Sequence, residues 1–134
     1  MARVRDLSQT MEVKVTAIPK AAHCEITVVA TNKDTRPVVL KFNTAQQYDF
    51  YAKDQNQRIV WKWSNDRVFA NVQTKTQLQP GQALSHSVKW KYLRNDGYRA
   101  KAGKYQIMGA VTAQPQNIYS KPVTLEVPEA APAG

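Results

Sequence analysis

The chain is poor in the residues that build reactive centres and covalent scaffolds. Its 134 residues include two histidines, five glycines and a single cysteine, Cys24. One cysteine cannot form an internal disulfide, so the fold must be stabilised by packing, and this composition favours a reducing compartment. Five glycines leave no glycine-rich phosphate-binding loop.

Long hydrophobic stretches are absent as well. No apolar run approaches the roughly 18 residues that a membrane-spanning helix requires, so we expect a soluble protein without a membrane span. The N-terminal residues include Arg3 and Arg5 but no apolar segment that resembles a secretory signal. A cytoplasmic location is therefore the default expectation, and an extracellular one holds if the N-terminus was processed or trimmed.

Acidic residues are half as frequent as basic ones, 10 against 19, which gives a net charge of +9. The basic residues are dispersed, which is typical of a solvated surface, except for a dense segment at residues 89–104. There they alternate with Trp90, Tyr92, Tyr98 and Tyr105. Such a mixture fits the strands of a β-sandwich, and it also fits a nucleic-acid platform, which we regard as the less favoured partner class.

What the chain does have is an every-other-residue hydrophobic pattern, and no window shows helical periodicity. Cys24, Ile26, Val28 and Ala30 share one face of a predicted strand, and the other predicted strands repeat this pattern. The runs end at turn residues such as those at positions 78–81 and 95–97. The spacing predicts an all-β, immunoglobulin-like antiparallel β-sandwich of about seven to nine strands.

We predict three parts along the chain. Residues 1–9 are expected to be a flexible N-terminal segment, residues 10–127 the β-sandwich, and residues 128–134 a disordered tail rich in proline and alanine. The fifth predicted strand contains Ile59, Trp61 and Trp63, and the run that follows at residues 69–78 is apolar in part and less clearly phased.

Candidate catalytic groups are few, and we predict a non-enzymatic protein without metal or cofactor. His23 and Cys24 are adjacent, and neighbours on a strand point to opposite faces, so we expect Cys24 to be a buried structural residue. His86 is in phase with buried positions, and we expect its ring at the core edge, hydrogen-bonded to backbone. Asp49 and Asp54 are interpreted as a surface charge and a turn cap.

Several motifs resemble the Bacillus intracellular proteinase inhibitor family (BsuPI). They are the segment 40–51 with 59–64, a later aromatic residue, a Leu-x-Pro-Gly turn, a strand ending on tryptophan, and a Gly-x-Tyr strand opening. The residues that carry the resemblance are Phe42, Tyr48, Asp49, Phe50, Trp61, Trp63, Ser64, Phe69, Pro80, Gly81, Trp90, Gly103 and Tyr105. The resemblance implies an immunoglobulin-like sandwich and, for the founding type, inhibition of a subtilisin-like serine proteinase.

The leading hypothesis is thus a protein-binding domain, most specifically a proteinase inhibitor. Candidate loops are residues 43–46, 63–67 and 92–102, because loops on a rigid scaffold bind with little ordering entropy. The last loop supplies the candidate contact residues Tyr92, Arg94, Asn95, Asp96, Tyr98, Arg99 and Lys101. The alternative is a structural or adhesive module of the cell envelope or an extracellular assembly, with self-association through sheet edges or termini.

Overall fold

Antiparallel β-strands organise residues 7–130, the part of the chain that the computed structural model describes. The strands are β1 (Met11–Pro19), β2 (Cys24–Asn32), β3 (Val38–Phe42), β4 (Tyr48–Lys53), β5 (Ile59–Lys62), β6 (Thr74–Leu78), β7 (Ala83–Trp90), β8 (Gly103–Val111), β9 (Ile118–Tyr119) and β10 (Val123–Val127). One α-helical turn, α1 (Leu7–Thr10), precedes them, and a 3₁₀ turn (Trp63–Asp66) follows β5. The predicted fold class is confirmed.

Two sheets face each other across the main core. The first has the order β1-β2-β7, and the second has the order β10-β8-β4-β5, with β9 pairing the remaining length of β8. Buried side chains from both sheets form one cluster that includes Ile26, Val28, Phe50, Ile107 and Leu125. A separate two-stranded ladder, β3-β6, encloses a second cluster around Leu40 and Phe42.

Local sequence explains the clearest strands. The burial of β2 alternates along its whole length, so that Cys24, Ile26, Val28 and Ala30 are buried as predicted. In β7 the predicted phase also holds, and Trp90 at its end is only 1% exposed. The predicted turn before β7 is present: Gln82 N donates to Gln79 O at 2.9 Å around Pro80, and Gly81 adopts φ +84°. Glycine enters this conformation without a Cβ clash.

Some predicted strand limits are wrong. Trp63 does not continue β5, since that strand ends at Lys62 and Trp63 begins the 3₁₀ turn. The weakly phased run at 69–78 forms a strand only from Thr74, and residues 67–73 have no regular structure. The strand count is ten because the structure adds the two-residue β9, which the alternation did not indicate.

The structure describes only parts of the two terminal segments. Residues 1–6 and 131–134 lie outside the described residues, so the predictions for them stay predictions. The end of the segment predicted to be flexible, residues 1–9, lies among the described residues, where Leu7 belongs to α1 and packs against the second cluster. At the other end, Pro128 O accepts a hydrogen bond from Arg99 at 3.1 Å. Within residues 7–130, no helix is long and apolar enough to cross a membrane.

Gly109 in β8 lies at a close approach of the two sheets. A Cβ atom built at this position would lie 2.9 Å from Val28 Cγ2 and 3.4 Å from Val15 Cγ2. These two valines belong to β2 and β1 of the opposite sheet. Only a residue without a side chain therefore allows the sheets to pack at this distance.

We predict that Gly109→Ala destabilises the protein by about 1–3 kcal/mol, since the added methyl group overpacks this contact. Urea unfolding measures the change. The matched control is the double variant with Val28→Ala, which removes the clashing methyl groups and should cost less than the sum of the two single variants. Strict additivity would contradict the packing argument.

Candidate functional site

The predicted loop 63–67 is the beginning of a longer segment, residues 63–73, which we call the 63–73 loop, and each of the other two predicted loops lies beside this segment. Its middle is joined to the predicted loop 43–46, because Ala45 N donates to Ala70 O at 2.9 Å. Its beginning shares a cleft with residues 92–102, which we call the 92–102 hairpin. The structure thus places the 63–73 loop in contact with two segments that are distant from it in sequence, one on each side along the chain.

The beginning of the 63–73 loop is held by a buried carboxylate. Asp49 on β4 is 2% exposed, and its Oδ2 accepts from Ser64 Oγ at 2.5 Å while its Oδ1 accepts from Ser64 N at 3.1 Å. Phe50 N donates to the same Oδ1 at 2.9 Å. The interpretation of Asp49 as a surface charge is therefore wrong, because the 3₁₀ turn covers that face of β4.

Tyr51 belongs to the same polar cluster. Burial, followed by the neighbouring Asp49 carboxylate, raises the pKa of Tyr51, whose ring lies 6.1 Å from that of Tyr119. The phenol therefore stays protonated throughout the physiological pH range. Asp49 and Ser64 form a hydrogen-bonded pair beside the neutral Tyr51 phenol, and this pair positions the 3₁₀ turn.

Aromatic rings support the loop along its length. Trp63 stacks on Tyr48 with 4.7 Å between ring centroids, and Tyr48 stacks on His86 of β7 at 4.2 Å. The Arg67 guanidinium lies 4.3 Å from the centroid of the Trp63 ring, and the ring centroids of Trp63 and Phe69 are 5.8 Å apart. Such cation–π and ring contacts each contribute about 0.5–1.5 kcal/mol, so the loop is anchored at two of its own residues.

Beyond these anchors the loop is open to solvent. Val68, between Arg67 and Phe69, is 100% exposed, and Val72 is 52% exposed. Within the described chain, the backbone amides of Val68 and Phe69 have no hydrogen-bond partner. The loop therefore offers an apolar side chain and free backbone donors on a segment that is fixed on both sides.

The 92–102 hairpin is anchored as well. Arg94 N donates to Tyr98 O at 2.8 Å and Ala100 N donates to Tyr92 O at 2.8 Å, which closes a small antiparallel turn. Asn95 binds it to the edge of β5: its Oδ1 accepts from Lys62 N at 2.7 Å and its N donates to Val60 O at 3.0 Å.

The candidate contact residues of the hairpin have different environments. Tyr92 is 1% exposed, and its hydroxyl donates to backbone oxygens of residues 20 and 23. Its side chain is therefore buried, whereas the sequence predicts a contact residue at this position. Arg94 pairs with Asp96 at 2.6 Å, and Arg99 donates to Pro128 O. Tyr98 is 72% exposed. Lys101 is exposed, and its carbonyl accepts from Tyr105. Gly97, at φ +90°, forms the tip.

The remaining motif residues support the scaffold. Trp61 and Trp90 stack at 5.2 Å, and Tyr105 meets Trp90 edge-on at 6.1 Å. Phe42 and Phe50 are fully buried, one in each core cluster. Gly103 opens β8 at φ +138°, a conformation that side chains rarely adopt.

The candidate reactive groups Cys24 and Asp54 have structural environments. Cys24 is fully buried, as predicted, and burial raises the pKa of its thiol to about 11, which keeps it protonated. Asp54 Oδ1 accepts from the amides of Asn56 and Arg58, which confirms the turn cap. Among residues 7–130, no group of three or more His, Cys, Asp or Glu residues is placed to bind a metal ion.

The architecture and its anchored loops are those of an immunoglobulin-like β-sandwich that presents exposed segments on a rigid frame. Comparison with known families identifies the group more closely. A family model described as BsuPI, intracellular proteinase inhibitor, matches residues 11–116, which is more than three quarters of the chain. The chain belongs to this family, which confirms the resemblance. The search of curated proteins gave no match.

Sequence reasoning missed the second half of the 63–73 loop. It assigned residues 69–73 to a poorly phased strand because Phe69 and Val72 are apolar. The available signal was the break in alternation after Trp63, together with Asn65 and Asp66, which are common in turns.

We predict that Ser64→Ala lowers the free energy of unfolding by about 1.5–3 kcal/mol, because it removes a hydrogen bond to a buried carboxylate. Asp49→Ala should cost more, since it leaves Ser64 N and Phe50 N without their acceptor. The double variant should be no less stable than Asp49→Ala alone. Urea unfolding gives these values, and amide hydrogen exchange should become faster at residues 64–73. Unchanged exchange there would show that the carboxylate does not hold the loop.

His86 generates a second prediction. Its Nε2 is buried without a hydrogen-bond partner among the described residues, so the prediction of a hydrogen bond to backbone is wrong. Burial lowers the pKa of His86 below the usual 6.5. The unfolded chain then binds this proton more readily than the folded chain. Stability should therefore be greatest above pH 6.5 and should fall as the pH decreases toward the folded-state pKa.

Chemical denaturation across this pH range tests the assignment. His86→Phe keeps a flat ring against Tyr48 and should remove the decrease, whereas His23→Gln is the control and should retain it. If both variants keep the same pH dependence, another group is responsible.

Proposed function

We propose that this chain inhibits a subtilisin-like serine proteinase by presenting the 63–73 loop to the substrate cleft of the enzyme. Membership of an intracellular proteinase inhibitor family supports the inhibitory role. The observation that carries the proposal for the loop is its combination of fixed ends with the fully exposed Val68 and two amides that have no hydrogen-bond partner among residues 7–130.

Proteinases bind extended segments by adding them as a strand beside their own backbone, which requires free N–H and C=O groups. Arg67, which follows the 3₁₀ turn, has an extended backbone with φ −121° and ψ 147°. Val68 and Phe69 then supply unpaired amides. A segment of this form meets the backbone requirement of a substrate cleft.

Preorganisation supports inhibition rather than loose binding. The carboxylate of Asp49 holds the start of the loop, the Trp63 ring holds Arg67 and Phe69, and Ala45 holds Ala70. Because these contacts exist before a partner binds, less conformational entropy is lost on association. The proposed role is non-catalytic, and we propose that it operates in the cytoplasm, in keeping with the single, unbridged cysteine.

We predict that micromolar protein slows peptide hydrolysis by one or more members of a subtilisin-like proteinase panel, and that Val68→Glu weakens this inhibition about tenfold or more, because it places a charge in the contact. The measurement is the inhibition constant from residual activity. Val39→Glu on β3 is the matched control, since Val39 is 45% exposed on a different ladder.

Two results would contradict the proposal. Absence of slowing across the panel removes inhibition of this enzyme class. Equal inhibition by the Val68→Glu and Val39→Glu variants removes the 63–73 loop as the contact surface, and the same experiment with Tyr98→Glu then tests the 92–102 hairpin.

A further inference from the structure

A cleft of about 470 Å³ lies between the beginning of the 63–73 loop and the 92–102 hairpin, at the end of β7. Trp61 and Trp90 contribute to its lining. Lys89 lies on β7, Lys91 directly follows this strand, and Leu93 and Arg94 lie in the hairpin. Arg67 and Asp66 complete the side formed by the loop. The cleft therefore separates the open edges of the two facing sheets.

The charge of this cleft is strongly positive. Four of its lining residues are basic and only Asp66 is acidic. Arg94 is paired with Asp96, but Arg67, Lys89 and Lys91 have no ion pair within the described residues. Glu25 lies opposite Lys89 on β2, and its carboxylate contacts His23 at 3.7 Å. Unpaired cations around one cleft attract an anionic partner.

The backbone beside the cleft is also available. β7 pairs with β2 on one side, and no strand of the described chain pairs with its other side. The neighbouring edge of β5 differs, because Asn95 covers it with its side chain and its amide. A free strand edge accepts an extended segment through main-chain hydrogen bonds.

The rings in the cleft argue against single-stranded nucleic acid. Base stacking needs a free aromatic face, but Trp61 and Trp90 are buried and stack on each other. Trp63 lies between Tyr48 and the Arg67 guanidinium. Cations and a strand edge remain, and these match a peptide that carries carboxylates.

We propose that this cleft is a docking site for an extended acidic segment of a protein partner, which pairs with the free edge of β7 while its carboxylates contact Lys89, Lys91 and Arg67. The site does not include Val68, and it does not depend on the inhibitory role. It assigns a second binding function to the side of the sandwich where the two sheets open.

The experiment uses the full chain and a short fluorescein-labelled peptide of alternating glutamate and valine, with binding followed by fluorescence anisotropy. We expect saturable binding that weakens with added salt, and a loss of about tenfold or more in the double variant Lys89→Glu, Lys91→Glu. The matched control is Lys41→Glu, Lys75→Glu, which makes the same change of charge at exposed, paired positions of β3 and β6. This control should retain binding.

Each other outcome overturns the proposal. Equal loss in both double variants assigns the binding to net charge alone, and tighter binding of an oligothymidylate than of the peptide assigns the cleft to nucleic acid. Light scattering that shows a dimer, lost only in the Lys89→Glu, Lys91→Glu variant, assigns it to a second copy of this chain. The Val68→Glu variant should bind the peptide normally, so failure of this site and failure of proteinase inhibition are distinguishable.

Discussion

The stacked pair of Trp61 and Trp90 joins the two sheets at their open side. Trp61 lies on β5, an edge strand of one sheet, and Trp90 lies on β7, an edge strand of the other. Removing these indoles from water stabilises the contact by burying large apolar surfaces. The polypeptide leaves each sheet within two residues of its tryptophan, so the core contact also decides where the 63–73 loop and the 92–102 hairpin begin.

Buried polar side chains then attach connecting segments to this frame. Asp49 receives three hydrogen bonds and fixes the 3₁₀ turn, whereas Asn32 donates to Arg36 O and Leu78 O and joins β2 to the end of β6. Ser120 accepts from Gly109 N and fixes the segment between β9 and β10. Since each such group would destabilise the fold if left unpaired, these bonds select one arrangement of the loops.

An inhibitor and a docking module make the same demand on a scaffold: exposed segments must keep their shape before the partner arrives. In this protein, aromatic contacts and carboxylate hydrogen bonds provide that rigidity without an internal disulfide, since Cys24 is the single cysteine. The exposed Leu93 lines the cationic cleft, and the exposed Val68 and Tyr98 directly follow its lining residues Arg67 and Gly97 in sequence. This combination suits a protein surface that has apolar and acidic regions side by side.

By itself, the sequence determined the β-sandwich, the family, the strands with clear alternation such as β2, β7 and β10, and the turn at Pro80 and Gly81. These features depend on neighbouring residues, because every-other-residue burial and turn conformations are local properties. Only the tertiary structure decided that Asp49 and Tyr92 are buried, that Trp63 leaves the strand, and that the candidate loops meet. The reason is physical: whether the outer face of a strand contacts water depends on which distant segment covers it, and Ser64 reaches Asp49 only after the chain has folded back.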